Sequence, residues 1–100
     1  MLDPPVACTL GPAALKARRE ALLADLVRRA DRHEELSDGQ RFTFHASDDV
    51  VSLIGQVINA ERQCCRFLRF RLTVEPADGP IVLELTGPEG TREFLSDLIG

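Results

Sequence analysis

No apolar run in the chain approaches the roughly 18 residues that a membrane-spanning helix requires, so no membrane segment is expected. The opening residues Met1-Leu2-Asp3-Pro4-Pro5 have neither a basic n-region nor an apolar h-region, so they do not read as a secretory signal. Cytoplasmic residence is the expectation, and thiols are kept reduced there. Internal repeats and low-complexity tracts are missing too. Basic charge is scarce: 12 Lys and Arg stand against 16 Asp and Glu, for a net charge of -4. That balance argues against a nucleic-acid partner, which generally needs a basic face. Arg62, Arg66, Arg69 and Arg71 do cluster locally. Such a cluster is more readily a solvated edge than an anion site. Cysteine is limited to three residues, an odd number that suits free thiols or ligands better than disulfide staples.

What is present is ordinary globular composition. One hundred residues, 44% apolar and 28% charged, correspond to a single domain spanning 1–100, with the Pro-rich residues 1–7 as an extended arm. A core of this size is marginal alone, which keeps a homodimer open as a source of stability.

The chain divides at its turn residues. Val6-Ala7-Cys8-Thr9-Leu10 reads as a short strand or part of the arm. Gly11-Pro12 opens a helix, since proline suits a first helical turn. Leu15, Leu22, Leu23, Leu26 and Ala30 recur at helical spacing and carry that helix to about His33 or Glu34, before Ser37-Asp38-Gly39 turns the chain. Arg41 to Ala46 alternates, predicting a strand with Phe42, Phe44 and Ala46 inward. Ser47 is a good N-cap, and Asp48 and Asp49 favour the positive end of a helix dipole, so a second helix is expected from Asp48 to about Phe67. Phe70, Leu72 and Val74 alternate with polar residues, as do Ile81, Leu83 and Leu85; with Pro76 to Pro80 as the turn, these form a hairpin. A short helix from Thr91 to Ile99 closes the chain on Phe94, Leu95 and Leu98. The order (β)-α-β-α-β-β-α predicts an α+β fold: a small, mostly antiparallel sheet of three to four strands with helices on one face.

On a helical wheel of about 100° per residue, Val50, Leu53, Ile54, Val57, Ile58, Cys64, Cys65 and Leu68 fall in one arc, and Glu61 lies near its middle. An unpaired carboxylate buried there would cost several kcal/mol. Three resolutions are open. The helix end is less buried than its middle, or Glu61 pairs with Arg18 or Arg19 of the first helix, or it faces a pocket. Cys64 and Cys65 follow three and four residues later, the spacing at which helix side chains meet. A helix C-terminus raises a thiol pKa, so reactive thiols there would need Arg62, Arg66 or Arg69 close by, or a bound metal. If Cys8 reaches the pair, three thiols and a carboxylate suit Hg, Cu, Zn, Cd or As ions. Against these readings, free cysteine commonly packs as a small buried hydrophobe. His33 and His45 lack partners at ligand spacing; His33 falls in a charged helix end and His45 on the outer face of a strand. Cys65 and Arg71 have C-x5-R spacing but no glycine-containing anion loop between them.

Ala7-Cys8-Thr9-Leu10, followed by a helix with Leu15 and Arg18, combines with Glu61-Arg62-Gln63-Cys64-Cys65-Arg66-Phe67-Leu68 and the tail Leu83, Leu85, Gly87-Pro88. This pattern resembles a largely uncharacterised family of small bacterial proteins with C-T-L and E-R-x-C-C-x-F-L motifs, loosely associated with heavy-metal resistance. The resemblance covers nearly the whole chain and implies Cys8, Cys64 and Cys65 as a thiol set, without an established activity. The expectation is a cytoplasmic, thiol-dependent binding protein for a soft metal or metalloid ion. Cys8, Cys64 and Cys65 would be its ligands, with Glu61, Arg62 and Arg66 in support; the partner is a small ion or small molecule. A small thiol enzyme (reductase or transferase) and a structural or interaction module with inert cysteines are the alternatives.

Overall fold

Seven elements follow one another in the computed structural model, which describes residues 13–99; the side chains of residues 13–16, 18, 64, 98 and 99 fall outside the description. They are α1 (Ala13–Arg29), β1 (Arg32–Leu36), β2 (Gly39–Phe44), α2 (Asp48–Cys64), β3 (Arg69–Val74), β4 (Ile81–Thr86) and α3 (Thr91–Ile99). The four strands form one sheet in the order β1-β2-β4-β3, with every pairing antiparallel. The α+β class and the antiparallel sheet are as expected. The strand considered at Val6 to Leu10 lies outside the described residues. No helix among the described residues is long and apolar enough to cross a membrane.

The helices lie on one face because only that face is apolar. Phe42 and Phe44 of β2, and Ile81, Leu83 and Leu85 of β4, are buried, while the residues between them are half-exposed. That period of two is what a sheet covered on one side produces. Opposite them lie Leu23 and Leu26 of α1, Val50, Leu53, Ile54 and Val57 of α2, and Leu95 of α3, in one continuous core. On the open face Arg41 donates through Nε and Nη2 to Glu84 at 3.0 and 2.9 Å, a cross-strand pair set by the β2–β4 register. Gln40 is buried on the helix side and donates to Ser96 Oγ at 3.1 Å, fastening α3 to β2.

Two boundaries and the cover of one strand differ from the sequence reading. α1 ends at Arg29, not at His33 or Glu34, because Arg32–Leu36 pairs with β2 as a strand. Its charged sequence, Arg-His-Glu-Glu-Leu, has little strand propensity; the tight turn at Ser37-Asp38 and the ladder with β2 override it. His33 is therefore on a strand, where it stacks on Phe42 with ring centroids 4.5 Å apart and bonds Gln40. α2 stops at Cys64 rather than near Phe67. Cys65 leaves helical geometry (φ -105, ψ 75), and Leu68 N–H bonds back to the Cys65 carbonyl at 3.1 Å, turning the chain into β3. Finally, Phe70, Leu72 and Val74 of β3 do share the helix side of the sheet with Leu85, Leu83 and Ile81, but they are incompletely covered: Leu72 and Val74 are 40% and 57% exposed and only Phe70 is half-buried. β3 is an edge strand, and the helices sit over β2 and β4 instead.

Candidate functional site

Glu61 and Cys65 are brought together by the end of α2. Cys65 N–H bonds the Glu61 carbonyl at 2.6 Å, closing the last turn and laying the two side chains against each other one turn apart. The Cys65 thiol donates to Glu61 Oε2 across 3.6 Å. From α1, the Arg19 guanidinium completes the cluster: Nε lies 3.2 Å from Glu61 Oε2, and Nη1 donates to Cys65 Sγ at 3.9 Å. The three side chains are sealed from solvent, at 2% exposure for Arg19, 1% for Glu61 and 0% for Cys65. Glu61 is thus paired with Arg19, one of the two first-helix arginines singled out by the wheel; the Arg18 side chain lies outside the description.

A short apolar wall closes the cluster. Cys65 and Phe67 are buried together with Leu68 and Phe94, and Phe67 meets Phe94 edge-on at 5.1 Å. That wall sets the electrostatics. Burial pushes the Glu61 carboxyl up from its ordinary value of 4.5, against the opposing pull of the Arg19 charge. Burial also pushes the Cys65 thiol up to about 12, with the Glu61 charge acting in the same direction. An upward shift is the direction expected at a helix C-terminus, but its causes here are the dry surroundings and the carboxylate. A thiol held protonated in this way is a poor nucleophile near neutral pH. A thiol-enzyme reading would therefore depend on Cys8 or Cys64.

The remaining site residues separate into two groups. Cys8 and the Cys64 side chain lie outside the described residues, so the expected three-thiol set is represented by Cys65 alone. Arg62 and Arg66 are exposed, and Arg62 donates to Asn59 Oδ1 at 3.2 Å, away from the thiol. The cation that meets Cys65 is Arg19, reached from another helix. Sequence offered Arg19 as a partner for Glu61 but not for the thiol. The shared face of Glu61 and Cys65 was the available clue, since whatever neutralises one must lie near the other.

Glu61 Oε1 is buried and accepts no hydrogen bond from the described residues. A bare carboxylate oxygen in a dry site is costly, by about 1–3 kcal/mol. Among the described residues no group of three or more His, Cys, Asp or Glu side chains could hold a metal ion. A cavity of about 410 Å³ opens elsewhere, at the far end of β2, where Asp31, Phe44, His45 and Pro80 are among the described residues that line it. His45 bonds Asp31 there, on an exposed rim. Comparison with known proteins gives no matching family model, and neither a curated protein nor a solved structure of significant similarity.

Proposed function

We propose that the protein is a thiol-dependent binding protein for a soft metal or metalloid ion. Cys65 and Cys64 are its primary ligands, Cys8 is the third, and Glu61 is the acceptor for the proton that Cys65 must release. The observation that carries the reading is the buried Glu61 carboxylate one turn before the cysteine pair, with Oε2 facing the Cys65 thiol and Oε1 unbonded by the described residues.

The chemistry is proton-for-ion exchange. Each thiol that ligates a soft ion loses one proton and gains one bond to the ion, with no change in oxidation state. Cys65, at about 12, holds its proton firmly at neutral pH. A carboxylate 3.6 Å from the sulfur can take that proton, and Arg19 beside both groups compensates the negative charge that remains. The ion class follows from the donors, since thiolates select Hg(II), Cu(I), Zn(II), Cd(II) or As(III) over hard cations.

The test is titration of the full chain with Hg(II) in the presence of a competing small thiol, following ion uptake and proton release together. The expected result is stoichiometric uptake with release of one proton fewer than the number of ligating thiols, because Glu61 keeps the proton of Cys65. A Cys64→Ser/Cys65→Ser variant that binds with unchanged stoichiometry and affinity would rule the reading out.

A second reading has a specific observation in its favour. With no exposed surface and a firmly held proton, Cys65 has the character of a core residue, and the Arg19–Glu61 pair then serves as a polar tie between α1 and α2. On this reading the native thiols resist labelling and take up no ion.

A further inference from the structure

The two edges of the sheet differ in kind. The β1 edge presents Arg32, His33, Glu34 and Glu35, charged or polar groups of the sort that discourage strand addition. The β3 edge presents Leu72 and Val74, two of the three exposed large apolar side chains among the described residues, with half-buried Phe70 beside them. Its backbone polarity can be read from the hairpin. Glu75 N–H bonds the Pro80 carbonyl at 3.2 Å, continuing the ladder with β4. In an antiparallel strand alternate residues bond to opposite sides. Arg69, Arg71 and Thr73 therefore bond toward β4, while Phe70, Leu72 and Val74 turn their N–H and C=O groups to the side on which no described strand pairs.

We propose that β3 is the interface through which two copies of this chain pair, antiparallel and related by a two-fold axis at Leu72. The register follows from the side chains. With Leu72 opposite Leu72 of the second copy, Phe70 falls opposite Val74, Arg71 opposite Thr73, and Arg69 opposite Glu75. The exposed apolar residues cover one another, and about six backbone hydrogen bonds form from groups that already point outward. Arg69 and Glu75 are exposed, and each gains an opposite charge directly across the ladder. Centring the axis on Arg71 instead would set arginine against arginine. Centring it on Thr73 would set Phe70 against Pro76, which has no N–H to give. A continuous sheet with β1 at both outer edges results, and the apolar edge disappears.

Sedimentation velocity of the full chain over a range of concentrations, paired with amide exchange at β3, tests this. The expected result is a concentration-dependent dimer in which the Phe70, Leu72 and Val74 amides become protected as the dimer forms. Arg69→Glu and Glu75→Arg should each weaken it about ten-fold, because the opposed pair then carries like charge twice in the two-fold dimer. The Arg69→Glu/Glu75→Arg variant should restore it, while Arg71→Glu should have little effect. A chain that stays monomeric at every concentration overturns the proposal. So does protection of those three amides independent of concentration, which would mean that the chain's own residues 1–12 occupy the edge. Rescue of Glu75→Arg by Arg71→Glu rather than Arg69→Glu overturns the register.

Discussion

Replacing Arg19 and Glu61 with methionine, singly and together, probes the buried pair directly. Methionine keeps the length and helix preference of both side chains while removing charge. In Arg19→Met the Glu61 carboxylate stays in a site with 1% exposure and loses the cation 3.2 Å away. Breaking a buried pair from one side costs about 3–5 kcal/mol. For a domain of this size that corresponds to a fall in Tm of roughly 15–30 °C. Glu61→Met should cost less, because Arg19 keeps its other interactions when the carboxylate is removed. The Arg19→Met/Glu61→Met double variant should lie within about 1 kcal/mol of the parent, because apolar replacement of a whole buried pair is often neutral. Arg19 makes interactions beyond this pair, so the coupling in the cycle, not either single loss, is the measure. The chain has no Trp or Tyr, so urea unfolding at pH 7 is best followed by far-UV circular dichroism. Single losses below about 1 kcal/mol that simply add within about 0.5 kcal/mol would refute the reasoning, since they would describe a solvated pair.

Four further outcomes follow from the same geometry. Cys65 is raised from 9.0 to about 12 on folding, so the unfolded chain releases that proton first and stability should fall as pH rises from 9 toward 12; in Cys65→Ala that alkaline decline should be shallower by urea midpoint. Glu61 is also raised, so its contribution is fullest below 4.5 and is lost as pH climbs through the folded value; Glu61→Gln, which mimics the protonated carboxyl, should remove that part of the slope in the same unfolding series. Gly39→Ala should destabilise by several kcal/mol because its Cβ would lie 1.8 Å from the Leu85 carbonyl oxygen, whereas Gly55→Ala, with open space around an exposed helix position, should stabilise by about 1 kcal/mol; thermal melts of the two should move in opposite directions. Ala77 sits at φ 56 in the β3–β4 turn, so Ala77→Gly should raise the melting temperature by relieving about 1 kcal/mol of left-handed strain.

Much of the fold was legible because its signals were periodic. Phe42 and Phe44, Ile81 through Leu85, and Val50 through Val57 each announced a buried face by spacing alone. β1 was not legible. Its Arg-His-Glu-Glu-Leu segment follows α1 without a breaker and owes its strand state to pairing with β2, a contact between residues that local propensity does not report. β3 misled in the opposite way: Phe70, Leu72 and Val74 alternate as an inward set should, but strand order puts them at an edge beyond the helices. At the site, Glu61 stood out because a carboxylate in an apolar arc demands a partner, and the demand pointed to α1. That the same arginine also touches Cys65 follows from the one-turn spacing that lays the thiol against Glu61.

The Arg19–Glu61 contact also decides where α1 can sit along α2. Among the described side chains of α1, Leu22, Leu23, Leu26 and Val27 pack in or against the core. Sliding the helix by one turn of about four residues brings Leu22 to the place of Leu26 and Leu23 to that of Val27, but it carries Arg18 and Arg19 to the places of Leu22 and Leu23. The same slide puts Leu15 in the place of Arg19, leaving Glu61 buried against a hydrocarbon chain. The slipped arrangement is thereby excluded twice, by an arginine brought into the apolar core and by a carboxylate deprived of its cation. The Arg19→Met/Glu61→Met variant, stable as it should be, loses that discrimination, and its α1 amide resonances should broaden or double; a single sharp set would count against this role. The ion pair, neutral in the ledger of stability, acts as the index mark by which one helix finds its place on another.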